Sequence, residues 1–396
     1  MLNRILATIS TILFMCYSNC ASSVNNKASC DINLRKKIGQ MICLDLRSLN
    51  KGTAITRIDR KIRPLIRKLI KEYHIGSFIL FKVNLENESQ SKKLVSDLKE
   101  IAAELEAPPL MLCIDQEGGK VERFSFNRGK LKNNIDIKSC KESYGKGLVI
   151  GKELKNLGIN CNLAPVVDVN SNPGNPVIGS RSFGSDAHDV ARKSVAFMKG
   201  LHEHGIAATA KHFPGHGDTS TDSHLSLPIV WKTKYELEKL ELIPFKEMIK
   251  NGVDIIMTAH IALPRLDSTK VVSRKDGKEI YLPATLSKVI LTNLLRKELG
   301  FNGIIMTDAM EMKAISEHFG SIDSVVLSIN AGADIICMPV NLNDEKQIDE
   351  ELGKIYDAID NKIKNGTINK ERIDNSYERI IKLKKRIGKS QFLAIS

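Results

Sequence analysis

Eight short apolar runs, separated by longer amphipathic stretches, constrain the fold of this chain more than any other feature. The runs are rich in β-branched residues and cover residues 42–46, 77–81, 110–114, 161–167, 206–210, 254–258, 303–307 and 334–338. Near-continuous apolar strands are expected when both faces of a parallel sheet are covered. The stretches between them have apolar residues at helical spacing, as in residues 89–105, 186–202, 234–250 and 287–299.

Eight strand–helix units in series predict an α/β fold, a (β/α)8 TIM barrel that forms a single domain over residues 30–390. Two further helical stretches, 344–363 and 370–387, complete the predicted outer ring. A doubly wound open sheet is the alternative, but its Gly-rich phosphate-binding turn after the first strand is missing here. The polar, lysine-bearing stretch 268–281 is interpreted as a surface loop.

The N-terminus has the pattern of an export leader. Arg4 precedes an apolar run from Ile5 to Tyr17, and small polar residues follow it. The run is shorter than the roughly 20 residues that span a bilayer, and it is typical of the apolar region of a signal peptide. We interpret residues 1–23 as a signal peptide or lipoprotein leader, with Cys20 as a candidate for lipid attachment. This predicts an exported protein of the periplasm or cell envelope, with the cytoplasm as the alternative.

The chain is basic, with 59 Lys and Arg against 46 Asp and Glu and a net charge of +13. A basic surface favours an anionic partner such as a wall polymer or a membrane surface. The lysines are scattered through helical segments, and no aromatic-rich basic stretch accompanies them. We therefore expect no binding of nucleic acid.

The eight cysteines do not form the disulfide framework of a small secreted domain, because the chain is too long for that class. Spacing leaves open whether Cys30 and Cys140 pair. Buried thiols are predicted for the four cysteines within strand-like runs, Cys43, Cys113, Cys161 and Cys337. No CxxC pair or HExxH string suggests a metal site, and no cofactor is predicted.

Polar residues cluster at the carboxyl ends of the predicted strands. They are Asp115, Gln116 and Glu117 after the third strand, Asp168 after the fourth, Lys211 and His212 at the fifth, His260 after the sixth and Asp308 after the seventh. In barrels of this type the active site is built at that face. The asymmetry between the two ends of the strands predicts an enzyme.

The segment after the fifth strand, residues 211–224, contains three histidines and two aspartates. Pro214, Gly215 and Gly217 allow the backbone to turn sharply over the barrel mouth. Asp222 and His224 are two positions apart, so the carboxylate can orient the imidazole and support its protonated form. A solvated polar loop with a helix-capping aspartate is the simpler alternative.

Several short sequence segments resemble motifs of the family 3 glycoside hydrolases of the β-N-acetylglucosaminidase branch, and they occur in the same order along the chain. The resemblance extends from about residue 35 to about residue 385. It rests on the strings at residues 115–119, 175–184, 211–217, 222–224 and 300–308. It implies a single barrel, whereas the two-domain glucosidases of the family take their acid from a second domain and lack this histidine-rich loop.

The resemblance also implies roles by position. Asp308 matches the nucleophile of a retaining exo-β-N-acetylglucosaminidase, a β-N-acetylhexosaminidase. His224 matches its acid/base, and Asp222 matches the partner of that histidine. Five positions match residues that hold the sugar before the cleaved bond: Asp115, Arg123, Arg181, Lys211 and His212. The implied substrates are carbohydrates that contain N-acetylglucosamine, among them peptidoglycan fragments.

Three alternatives stand beside this interpretation. A (β/α)8 metallohydrolase normally has a His pair on its first strand, and residues 42–46 contain none. A non-catalytic wall-binding lipoprotein has no reason to keep Asp308, Asp222 and His224 together. A β-N-acetylglucosaminide phosphorylase, or another β-glycosidase, remains open at this level.

Overall fold

Eight parallel strands form the centre of the computed structural model. They are β1 (Ile42–Asp45), β2 (Ser77–Leu80), β3 (Met111–Ile114), β4 (Cys161–Asn162), β5 (Ala207–Phe213), β6 (Ile255–Thr258), β7 (Ile304–Met306) and β8 (Ile336–Cys337). Their hydrogen-bonded order is β7-β6-β5-β4-β3-β2-β1-β8. A parallel bridge between Met306 and Ile335 joins β7 to the start of β8 and closes the sheet. The predicted TIM barrel is therefore confirmed.

The structure describes residues 33–49, 52–220, 222–223, 226–340 and 344–392. The predicted leader with Cys20 lies outside these residues, as do Cys30 and the proposed acid/base His224. Within the described ranges, no helix is long and apolar enough to cross a membrane.

Twelve helices of the described residues surround the strands. They are α1 (33–40), α2 (Ile62–Lys71), α3 (Glu88–Glu104), α4 (Cys140–Leu157), α5 (Ala187–His202), α6 (Lys234–Lys239), α7 (Leu242–Lys250), α8 (Val289–Glu298), α9 (Lys313–Phe319), α10 (Ser321–Ala331), α11 (Glu345–Lys364) and α12 (Lys370–Phe392). The α5 helix begins as its sequence indicates, because the Asp186 side chain accepts a hydrogen bond from the Asp189 N–H at 2.7 Å. The α8 helix has π-type hydrogen bonding.

Three local predictions differ from the structure. The strand expected over residues 161–167 is regular only at Cys161–Asn162, because Pro165 has no N–H to donate to the ladder. The single helix expected over residues 234–250 breaks between α6 and α7, where Glu241 is buried and forms an ion pair with Lys232. The loop expected over residues 268–281 contains an antiparallel hairpin of Lys270–Val272 with Glu279–Tyr281.

The interior of the barrel is apolar, as the strand sequences require. The thiols of Cys43, Cys113, Cys161 and Cys337 are buried and free, which confirms the prediction for them. The Cys140 thiol is exposed and free. The long helix α12 lies at the amino ends of the strands, since Lys384 donates to the carbonyl oxygen of Gly76, the residue before β2. The carboxyl ends of the strands carry the polar residues described next.

Candidate active site

The carboxyl ends of the strands surround a cavity of about 300 Å³. Its polar lining comes from the end of β5 and from loops after several strands: Arg47, Asp115, Glu117, Arg123, Arg181, Lys211, His212, His216, Ser223, Asp308 and Glu311. The five residues predicted to hold a sugar therefore lie at one cavity together with Asp308. Asp222 is half-buried beside the lining residue Ser223, and His224 is outside the described residues.

Lys211 joins two carboxylates at the base of this cavity. It is almost fully buried, and its Nζ donates to Asp115 Oδ1 and Glu117 Oε1, each at 2.8 Å. Arg181 forms a bidentate pair with Glu117, at 3.0 Å from Nε and 2.8 Å from Nη2. Arg123 Nη2 donates to Asp115 Oδ2 at 2.9 Å. Such charge-assisted and forked contacts fix the directions of all five side chains.

The network sets the ionisation of its members. Burial opposes ionisation of Asp115, but Lys211 and Arg123 outweigh it and lower the pKa of that carboxyl. Burial likewise opposes ionisation of Glu117, yet Arg181 and Lys211 hold its pKa well below the usual value. The pKa of Lys211 is raised, because the two carboxylates outweigh its burial. The cavity therefore presents charged hydrogen-bond acceptors, the carboxylates, and charged donors, the ammonium and guanidinium groups. Such a lining suits ligands that are rich in hydroxyl groups.

Asp308 follows β7 and lines the same cavity. Its Oδ1 accepts a hydrogen bond from the Ala309 N–H at 2.8 Å. Burial raises the pKa of Asp308, but His212, His260 and Lys211 together with this N–H bond lower it below the ordinary value. Asp308 is therefore held as a carboxylate, the form that a nucleophile requires.

His212 is oriented by a carboxylate that follows β4. The ring Nδ1 of His212 lies 2.7 Å from Asp168 Oδ2, and Asp168 Oδ1 accepts the His216 N–H at 2.7 Å. Burial opposes ionisation of Asp168, but His212 outweighs it, so the pKa of Asp168 is lowered. Because Nδ1 is bonded to Asp168, the other ring nitrogen of His212 is the one that can meet a ligand in the cavity.

The loop after β5 is fixed by close packing and by His216. A side chain at Gly217 would place Cβ 1.7 Å from the Val169 oxygen, so only glycine fits there. His216 Nδ1 lies 2.8 Å from Thr219 Oγ1, and its Nε2 lies 3.1 Å from Ser223 Oγ. Burial lowers the pKa of His216 to about 4, which keeps the ring neutral. His216 thus holds Ser223, the residue between Asp222 and His224, and helps to fix the shape of this loop.

The family of the chain follows from comparison with known proteins. The model of the glycosyl hydrolase family 3 N terminal domain matches residues 33–383. The chain belongs to glycosyl hydrolase family 3. "Beta-hexosaminidase A" of Pseudoalteromonas piscicida is 37% identical over 380 residues, which are 92% of this chain and 63% of that protein. A beta-hexosaminidase of Neisseria meningitidis serogroup B is 35% identical over 288 residues, 69% of this chain and 74% of that one.

A solved structure agrees with this assignment. The family 3 beta-N-acetylglucosaminidase from Paenibacillus sp. FPU-7 is 39% identical and superposes with a TM-score of 0.78, covering 89% of this chain and 62% of that one. The family 3 chain described here therefore spans less than two thirds of the Paenibacillus and Pseudoalteromonas proteins.

Sequence reasoning gave no role to several residues of this family 3 site. The sequence marks Glu117 and Asp168 only as polar residues that follow predicted strands. Arg47 forms ion pairs with Asp45 and Glu311, and its guanidinium carbon lies 4.6 Å from the centroid of the Phe81 ring. Arg47 follows the first strand by two residues, so the strand-end rule that selected Asp115 could have found it.

His260 has a structural place in the family 3 barrel. Its Nδ1 lies 2.8 Å from Thr285 Oγ1, and its Nε2 lies 3.0 Å from the Ala309 oxygen, next to Asp308. Among the residues that the structure describes, no group of three or more His, Cys, Asp or Glu side chains could hold a metal ion.

Proposed function

We propose that the chain is a retaining exo-β-N-acetylglucosaminidase that releases terminal β-linked N-acetylglucosamine. The observation that carries the proposal is the ionised Asp308 in a cavity that also contains the Asp115–Lys211–Glu117 network. The names of the similar proteins from Pseudoalteromonas, Neisseria and Paenibacillus support the same activity.

In the proposed first step, Asp308 attacks the anomeric carbon of the bound sugar. The bond from that carbon to the leaving oxygen breaks, and His224 gives its proton to this oxygen. In the second step, His224 takes a proton from water, and the water oxygen displaces Asp308. A histidine suits this role because its ordinary pKa is close to neutral, so both forms are available. Asp222 orients the imidazole and stabilises its charged form.

The remaining residues hold the sugar. Asp115 accepts hydrogen bonds from hydroxyl groups, while Lys211 and Arg181 donate to sugar oxygens. His212 donates through the ring nitrogen that Asp168 leaves free, and Arg123 completes the set. These side chains are fixed before substrate arrives, because each is bonded to another member of the network. A preorganised site avoids the cost of ordering the side chains during the reaction.

The substrate class is tested by comparing aryl β-N-acetylglucosaminide with aryl β-glucoside as substrates of the purified chain. A clear preference for the N-acetylglucosaminide is expected, and a preference for the glucoside contradicts the proposal. The same assay with and without inorganic phosphate separates hydrolysis from phosphorolysis. A turnover that requires phosphate and yields sugar phosphate shows a phosphorylase instead.

The acid/base role of His224 is tested with leaving groups of different quality. General acid–base assistance is worth on the order of 10² to 10⁴ in rate. His224→Ala should lose about this factor with poor leaving groups, yet largely keep the first step with a dinitrophenyl leaving group. The covalent sugar on Asp308 should then accumulate, and azide should restore turnover. Equal losses with both leaving groups, without a covalent adduct, contradict the assignment.

We also propose that the enzyme acts outside the cytoplasm, on peptidoglycan fragments. The apolar run from Ile5 to Tyr17 supports export, and Cys20 is the proposed lipid-attachment site. Fractionation of cells that produce the full chain should place the protein in the envelope with residues 1–23 altered or removed. An intact N-terminus on cytosolic protein contradicts this location.

A further inference from the structure

Two aromatic side chains form an exposed pair on the loops after β5 and β6. Trp231, 57% exposed, meets the half-buried Tyr281 edge to face, with ring centroids 5.8 Å apart and an interplanar angle of 85°. Ile229 and Val272, from the same two loops, are also exposed, at 45% and 67%. We call Trp231 and Tyr281 the aromatic pair. Large exposed apolar groups that lie together commonly mark a binding surface.

Backbone pairing places the aromatic pair at the catalytic end of the barrel. The Val230 N–H donates to the Ala262 oxygen at 2.9 Å, and the Ala284 N–H donates to the Ile261 oxygen at 2.7 Å. Residues 261 and 262 lie just beyond the carboxyl end of β6, on the same side as the cavity. Trp231 and Tyr281 each lie within three residues of this pairing.

Residues next to the aromatic pair form contacts with segments that adjoin the cavity lining. Lys232, next to Trp231, pairs with Asp218 at 3.1 Å, and Asp218 is two residues from the lining residue His216. The hairpin that ends at Tyr281 is bound to α9 through Ser273 Oγ and His318 Nδ1, 2.8 Å apart. The α9 helix directly follows Glu311 and Met312, which line the cavity.

The chemistry of the pair fits a sugar chain. A β-linked pyranose presents axial C–H groups on its flat faces and hydroxyl groups at its edges, so its faces stack on exposed aromatic rings. Trp and Tyr suit such contacts because the face of each ring is apolar, while the polar group at its edge can form hydrogen bonds with water or sugar hydroxyls. Lys270 Nζ lies 5.5 Å from the centroid of the Tyr281 ring and can donate to sugar oxygens nearby.

We propose that Trp231 and Tyr281 bind the leaving-group part of an N-acetylglucosamine-containing glycan. The sugars that they contact lie beyond the first sugar of the leaving group. The inference rests on the proposed exo-acting function, in which the terminal sugar fills the cavity and the rest of the glycan extends over the rim of the cavity. It predicts a preference for longer oligosaccharides that a monosaccharide substrate does not reveal.

The first test compares substrates of increasing length. For Trp231→Ala, kcat/KM should fall about three- to tenfold with a β-1,4-linked N-acetylglucosamine tetramer or hexamer, the range expected for one aromatic contact. It should stay within twofold of wild type with an aryl N-acetylglucosaminide. Trp231→Phe should recover part of the loss. Tyr144→Ala is the matched control and should show no dependence on length, because Tyr144 is a half-buried residue of α4 whose hydroxyl donates to Glu203.

The second test uses the fluorescence of Trp231, which is the only tryptophan in the sequence. In Asp308→Asn, which should bind without cleaving, the hexamer should shift and quench the emission in a saturable way, whereas free N-acetylglucosamine should not.

The outcomes separate the two proposals. No activity on the aryl N-acetylglucosaminide refutes the proposed function, and the inference fails with it. Normal aryl activity with unchanged emission and no length dependence refutes the aromatic pair alone. A dimer that dissociates in Trp231→Ala assigns the surface to a second copy and likewise overturns the inference.

Discussion

The two ends of the barrel each bury carboxylates among cations, but they use the same interactions for different purposes. At the catalytic end, Lys211 is shared by Asp115 and Glu117, and all three line the cavity. At the opposite end, Asp334 accepts hydrogen bonds from Arg296 at 2.7 Å and from Arg372 at 3.2 Å. Arg379 and Ser376 add contacts at 3.2 and 2.6 Å.

The difference lies in what covers each network. Three of the four side chains around Asp334 belong to helix α12, so these contacts hold that helix on the barrel. The catalytic network faces a cavity, so its donors and acceptors can meet a ligand. Buried charge therefore anchors a helix at one end and faces a cavity at the other, where we propose that it binds substrate. The two roles should separate under mutation.

The largest effect is expected for Asp308→Asn at the catalytic end. The amide has nearly the same shape but is a very poor nucleophile, so turnover should fall by at least about 10⁴-fold. Stability should be little changed or slightly lower, because the lowered pKa of Asp308 means that its surroundings favour the charge that the substitution removes. Steady-state kinetics and denaturant unfolding of the same preparation check both statements. Retained activity, or a large loss of stability, contradicts the assigned division of roles.

Asp334→Asn should give the reverse pattern. The change leaves Arg296, Arg372 and Arg379 close together without a carboxylate, which should lower the free energy of unfolding by about 3 to 5 kcal/mol. The folded enzyme should keep its kcat/KM, because Asp334 lies at the other end of the barrel. Activity measured well below the unfolding midpoint distinguishes the two effects, and a drop in kcat/KM there contradicts the comparison.

Lys384 gives the covered end a dependence of stability on pH. It is fully buried, donates to Gln40 Oε1 and the Gly76 oxygen, and has its pKa lowered by burial to about 7. Unfolded lysine has a pKa of about 10.4. Between these values the unfolded chain binds the extra proton, so stability rises with pH through this window. Below pH 7 both states are protonated, and the cost of the buried charge is fully present.

Lys384→Met should therefore remove a rise of about 2 kcal/mol in the free energy of unfolding between pH 7 and pH 9. Denaturant unfolding at several pH values measures the difference between variant and wild type. Lys382→Met, an exposed position on the same helix, serves as the control and should leave the slope unchanged. An identical slope in wild type and Lys384→Met would contradict the lowered pKa.

The smallest effect is expected for a surface ion pair. Arg35 and Asp357 are 3.0 Å apart, with side chains 50% and 69% exposed. Asp357→Asn should change the free energy of unfolding by less than about 0.5 kcal/mol, because exposed pairs are screened by water and salt. The contrast with Asp334→Asn measures how much burial adds to the same kind of interaction. A loss above about 2 kcal/mol would remove that contrast.

The sequence by itself determined the barrel, its eight strands and most of the polar residues at the cavity. Apolar runs and helical periods are local patterns, and each records which faces of an element are covered. The position of Asp308 or Lys211 at a strand end is also local, and parallel strands carry all such ends to one face. Local patterns therefore gathered the strand-end residues of the candidate site, whereas Arg123 and Arg181 were predicted only through the resemblance to family 3.

Only the tertiary structure decided which of these groups pair. Arg181 meets Glu117 across 64 positions, and Asp168 meets His212 across 44. The pairing of Trp231 with Tyr281 and the contact of Lys384, on α12, with Gly76 also join distant segments. Such choices depend on how the closed barrel places its loops and helices, and no periodicity in the chain specifies them. The partners in turn set the pKa of each group, so the electrostatics of the site is a property of the fold.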